Sequence, residues 1–80
     1  MVKVLFFATL KDKARTRQAD FDLPEGTTIA QLKSMVAERY PETDGMLGHC
    51  LASINHNYPA DDGVIPSDAE VAFFPPVSGG

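Results

Sequence analysis

The chain has 80 residues, 44% of them hydrophobic and 22% charged, with a formal net charge of −4. A chain this short buries only about 60% of the surface that its unfolded form exposes, so it makes one domain with little room for a deep catalytic cleft. The acidic balance argues against nonspecific binding to nucleic acid or acidic membranes, no apolar run nears the roughly 20 residues of a membrane span, and Cys50 has no cysteine to pair with.

Residues 2–8 are rich in β-branched and aromatic side chains and read as a strand. Alternation places Val2, Val4, Phe6 and Ala8 on one face and Lys3, Leu5 and Phe7 on the other. The segment has one early lysine but no small-residue cleavage site, which distinguishes it from a signal peptide. The polar stretch 9–17, with Lys11, Lys13, Arg15 and Arg17, reads as a loop or a single helical turn with a solvated basic face. Residues 18–23 alternate again, Ala19, Phe21 and Leu23 facing in, and Pro24-Glu25-Gly26 closes them as a turn.

The main helix follows. Thr28 with Gln31 three residues on has capping-box spacing, and Ile29, Leu32, Val36 and Tyr40 form one apolar stripe with Met35 alongside. Lys33 and Glu38 are placed outside that stripe, and Pro41 forbids continuation. Residues 43–49, with two glycines, read as irregular, 51–55 as a short strand, and His56-Asn57 as a turn before Tyr58. Pro59 to Gly63 make a loop with an Asp61-Asp62-Gly63 turn signal, and Pro66-Ser67-Asp68 reverse the chain into a final strand over 70–74. Val71 and Phe73 share one face of it; Glu70, Ala72 and Phe74 share the other. Pro75 and Pro76 remove two backbone donors and end the strand at Phe74. Beyond them Val77-Ser78-Gly79-Gly80 is a tip almost without side chains, which on composition alone fits a frayed end as well as a working one.

One helix covers one face of a sheet. If Val4, Phe6, Val71 and Phe73 face it, then Leu5, Phe7, Ala72 and Phe74 look outward, where polar residues are the norm. A contiguous Leu5-Phe7-Phe74 patch therefore calls for a protein partner, with Tyr58 as a further contact. Catalytic motifs are missing: no phosphate loop, no nucleophile elbow and no paired-cysteine metal spacing. His49, Cys50 and His56 do not have a ligand spacing, so no metal is expected, and Cys50 reads as a small buried residue.

The element order matches the α+β β-grasp fold of ubiquitin-like proteins, a mixed sheet with first and last strands adjacent at its centre. The ending Phe73-Phe74-Pro75-Pro76-Val77-Ser78-Gly79-Gly80, the opening Val2-Lys3-Val4-Leu5-Phe6-Phe7-Ala8 and the internal Leu51-Ala52-Ser53-Ile54-Asn55 resemble the small, sulfur-carrier subunits of molybdopterin synthase. The resemblance covers nearly the whole chain. Two departures stand out: Asp68-Ala69 replaces a common Gly-Asp turn, and Pro59 interrupts what is often a strand.

The resemblance implies a β-grasp domain over residues 1–74 and a tail over 75–80. It implies that Gly80, with Gly79 beside it, is adenylated by an ATP-dependent E1-like adenylyltransferase and converted to a thiocarboxylate. The sulfur comes indirectly from a donor such as a cysteine desulfurase and passes to a precursor of the pterin dithiolene. That transfer takes place in the large synthase subunit, within a heterotetramer. Phe7 and Phe74 match the family's partner-facing surface, and Pro75, Pro76, Val77 and Ser78 would thread the tip into partner pockets. On this view the chain has no catalysis of its own, holds no cofactor beyond a transient acyl-adenylate and is cytoplasmic. The alternatives are a thiazole-synthesis sulfur carrier and a ubiquitin-like modifier joined through Gly80 to lysines.

Overall fold

In the computed structural model, which describes residues 1–75, the first strand, β1, runs Val2–Phe6 and the last, β4, Glu70–Phe74. They lie parallel at the centre of a four-stranded sheet, Val4 opposite Val71 and Phe6 opposite Phe73. The flanks are antiparallel: β2 (Gln18–Phe21) pairs with β1, and β3 (Leu51–Ile54) pairs with β4, giving the order β2-β1-β4-β3. This is the β-grasp topology expected from the element order, with an α+β mixed sheet and one main helix across one face.

That helix, α2 (Ile29–Arg39), starts where the capping box placed it. The Thr28 hydroxyl accepts from Gln31 N at 3.2 Å, and Gln31 Oε1 accepts from Thr28 N at 2.9 Å. Two further first-turn donors reach across the chain, Ile29 N to Gly63 O at 3.0 Å and Ala30 N to Asp61 O at 2.9 Å. The loop over 59–63 thus serves as a second cap, satisfying N–H groups that a helix cannot satisfy itself. Ile29, Leu32 and Val36 are fully buried, as are Val4, Val71 and Phe73 of the facing sheet. Tyr40 leaves the helical conformation before Pro41 and packs edge-on against Phe6, centroids 5.6 Å apart.

Four details depart from the sequence reading. Residues 8–14 form a helix, α1 (Ala8–Ala14), rather than a loop or one turn; Leu10 and Ala14, four apart, dock it on the core. Ala8 begins this helix, exposed, and is not an inward strand residue. The segment read as irregular holds a 3₁₀ turn at Pro41–Thr43 and a short helix, α3 (Asp44–Leu47), pinned by buried Thr43 and Leu47. Lys33, placed outside the buried stripe, is itself buried: its Nζ donates to Cys50 O at 3.2 Å and to Asp61 Oδ1 at 3.1 Å.

The turns follow the residue chemistry closely. Asp68 adopts φ 57°, a left-handed conformation that its short polar side chain tolerates. The β3 turn centres on Asn55 and His56, both at positive φ, one residue earlier than read, and Asn57 bridges back to Ile54. No strand crosses Pro59.

Candidate functional site

The sheet face away from α2 carries the candidate site. Cross-strand register aligns Gln18, Leu5, Ala72 and Ser53 in one row, and Phe74 with Leu51 in the next. Phe7, one residue past the last paired position of β1, stacks on Phe74 with ring centroids 4.8 Å apart and planes 11° from parallel. That separation matches the spacing of adjacent strands, so the stack continues the β1–β4 register one residue beyond its last pair.

Leu5, Phe7, Phe74 and Leu51 form an outward apolar patch around the point where the chain leaves the sheet at Pro75. Phe7 is 41% exposed and Leu51 57%. Each such side chain contributes roughly 1.5–3 kcal/mol when fully buried. Leu51 was not singled out from the sequence. The alternation Leu51/Ser53 against Ala52/Ile54 held the signal, but a strand of four residues gave no reason to prefer either face. Ala72 lies on the outward face as read, but its small side chain is buried between Leu5 and Ser53. Tyr58 stands 71% exposed, and the structure does not bring it into aromatic contact with Phe7 or Phe74. Pro76, Val77, Ser78, Gly79 and Gly80 lie outside the described residues.

Beside the patch is an open hollow of about 460 Å³ lined by Leu5, Phe6, Phe7, Ala8, Lys11, Arg17 and Gln18. Its walls are cationic although the chain is acidic overall, because α1 turns Lys11 toward the Phe7 side. The turn into α1 is unusual: Phe7 is extended and Ala8 follows at φ 54°, a left-handed conformation that costs a residue with a Cβ about 1–2 kcal/mol. Phe7 O accepts from Leu10 N at 3.1 Å and Lys11 N at 3.4 Å, tying the turn together.

Among the described residues no group of three His, Cys, Asp or Glu side chains could hold a metal ion. Nor is any described helix long and apolar enough to cross a membrane. Cys50 is buried; burial pushes its thiol pKa up, and the nearby Lys33 ammonium offsets part of that rise. Together these residues make an exposed apolar surface with a cationic margin at Lys11 and Arg17.

Residues 4–80 match the ThiS family. The chain belongs to that family. Its relatives include the molybdopterin synthase sulfur carrier subunit of Escherichia coli (strain K12), 34% identical over 84 residues with 100% of each chain covered. The subunit of the same name from Chlamydomonas reinhardtii is 31% identical over 81 residues, covering 99% of this chain and 98% of its own. Among solved structures, SAMP1 from Haloferax volcanii aligns with a TM-score of 0.84 at 26% identity, over 99% of this chain and 98% of that one. The family match extends beyond the sheet and helix to the Gly79-Gly80 end.

Proposed function

We propose that this chain is the sulfur carrier subunit of a molybdopterin synthase, delivering sulfur from a thiocarboxylate on Gly80. The observation that carries the reading is the family match through residue 80, with relatives named as that subunit along essentially the whole chain. The stacked Phe7–Phe74 pair at the root of the tail supports it, since a tip that threads into another protein needs an anchor beside it.

A terminal carboxylate, with a pKa near 3.3–3.7, is ionised at neutral pH and a poor electrophile. In the proposed cycle it attacks the α-phosphorus of ATP within an E1-like adenylyltransferase, expelling pyrophosphate and leaving an acyl-adenylate. The terminal sulfur of a persulfide, itself charged by a donor such as a cysteine desulfurase, then attacks the carbonyl carbon and AMP departs. A second thiol breaks the S–S bond of the resulting acyl disulfide, leaving a thiocarboxylate on Gly80 and a disulfide on the donor. The large synthase subunit then receives the tip and the sulfur passes to the pterin precursor. Gly79 and Gly80 carry no Cβ to collide with a narrow channel. Pro75 and Pro76 reduce the entropy lost on threading, which costs about 1–2 kcal/mol per ordered residue. Val77 and Ser78 would contact the channel walls, and the exposed ring of Tyr58 would reach the rim of the docked surface.

The test is incubation with ATP, the E1-like enzyme and a sulfur source, followed by intact mass. A sulfur-for-oxygen change confined to Gly80, and conversion of the pterin precursor once the large subunit is added, are the expected results. No mass change would overturn the reading, and transfer into a thiazole instead would redirect it. The likeness to SAMP1 favours one second reading, a modifier whose Gly80 carbonyl is joined to lysine amines. Covalent ladders on denaturing gels, with no precursor conversion, would establish that reading in its place.

A further inference from the structure

We propose that Ala8 is a positioning residue, its left-handed backbone holding the Phe7 ring against Phe74 before any partner arrives. Three observations converge on it. Phe6 and Leu10 are both buried, while Phe7, Ala8 and Thr9 between them are exposed. Phe7 is therefore presented by a three-residue bridge between two fixed anchors. Second, Ala8 is exposed and lies outside the core cluster, so its influence acts through the backbone. Third, that backbone sits at φ 54°, a region that residues with a Cβ occupy only where their surroundings over-determine it.

The surroundings here are specific. Extended Phe7 continues the direction of β1, which keeps its ring over the outer face; the reversal at Ala8 then swings α1 back so that Leu10 can enter the core. A right-handed Ala8 would send α1 along another path, and an extended Ala8 would prolong the strand. The hydrogen bonds from Leu10 N and Lys11 N to Phe7 O close the bridge on the same residue that bears the ring. An alanine in this position has only the small left-handed well available, whereas glycine has a broad range of positive and negative φ. The methyl thus narrows the directions that Phe7 can take, at a cost in local strain.

The test compares Ala8→Gly with a chemically synthesised chain carrying D-alanine at position 8, for which positive φ is unstrained yet still restricted. Part of the test needs no partner: NMR order parameters of residue 7 and the ring contacts between Phe7 and Phe74. Ala8→Gly should lower the order parameter and weaken the ring contacts without lowering Tm. D-alanine should retain both and raise Tm by about 4–8 °C. Unchanged ring contacts and order in Ala8→Gly would overturn the proposal. The second part rests on the function proposed above and uses the purified large synthase subunit as probe. Ala8→Gly should bind it about 2- to 5-fold more weakly, and D-alanine as tightly as the unmodified chain. Equal binding by all three would overturn the docking role of Ala8. Failure of the unmodified chain itself to bind would count against the function and leave the NMR comparison to decide the proposal.

Discussion

Lys33 shows how residue type can mislead where spacing does not. It lies four residues after Ile29 and three before Val36, within the stripe that faces the sheet, yet its charge placed it outside in the sequence reading. The side chain runs its apolar stem along the core and brings its ammonium out to Cys50 O and Asp61. Its side chain is 10% exposed whereas that of Asp61 is 65% exposed, so the carbonyl bond is the costly one to lose and the ion pair is screened. Lys33→Ala should cost about 1–3 kcal/mol, some 4–8 °C of Tm per kcal/mol, while Asp61→Asn costs under about 1 kcal/mol. Equal losses in thermal melts would mean that the ion pair dominates. Cys50 adds a pH dependence. Its pKa is higher in the folded chain than in the unfolded one, so the thiol's contribution is complete below the ordinary thiol range, near pH 9, and is lost as pH rises through the folded value. The Tm advantage over Cys50→Ala should therefore shrink as pH rises above the ordinary thiol range; a gap that stays constant there would contradict the raised thiol.

Among the elements, the ones with a strong period were legible and the short ones were not. The main helix could be read to its cap because Thr28, Gln31 and Pro41 each act through local chemistry, and the central strands because their alternation decides which side chains are buried. Helix α1 offers only Leu10 and Ala14 among charged residues and lacks a capping side chain at Phe7, so no local signal marked its start. Helix α3 was hidden by Gly45 and Gly48, and tertiary burial of Leu47 decides it. The outward patch was legible as an excess of apolar residues on one face. Its extension to Leu51 depended on which face of a four-residue strand turns outward. Two adjacent phenylalanines of β4 test the face assignment. Phe73→Ala opens the core and should cost about 3–5 kcal/mol, whereas Phe74→Ala should leave Tm nearly unchanged and weaken large-subunit binding at least tenfold. A comparable loss of Tm in both would invert the assignment.

At the scale of the molecule, the proposed function divides the labour between the sheet and the C-terminal residues. The described residues supply a four-stranded sheet, an aromatic pair at its rim and a basic wall beside it, and the proposed chemistry lies beyond the last described residue. Deleting Gly80, or extending it by one residue, should abolish sulfur acquisition, measured by intact mass, while circular dichroism and Tm stay the same. Full activity in the extended chain would refute a role for the terminal carboxylate. None of the tail's proposed role could be read from periodicity. It came from the Phe73-Phe74-Pro75-Pro76 sequence and the Gly-Gly end, whose meaning depends on resemblance.

The parallel pairing of β1 and β4 also has a mechanical consequence. Both strands run the same way, so tension that pulls Phe74 outward while restraining Val2 slides one strand along the other. It does not peel them apart: the cross-strand bonds between Lys3 and Phe6 share the load in shear and must break nearly together. A pull on the segment after Pro75, with the N-terminal end of β1 held, therefore loads the central pair in shear and does not unzip it.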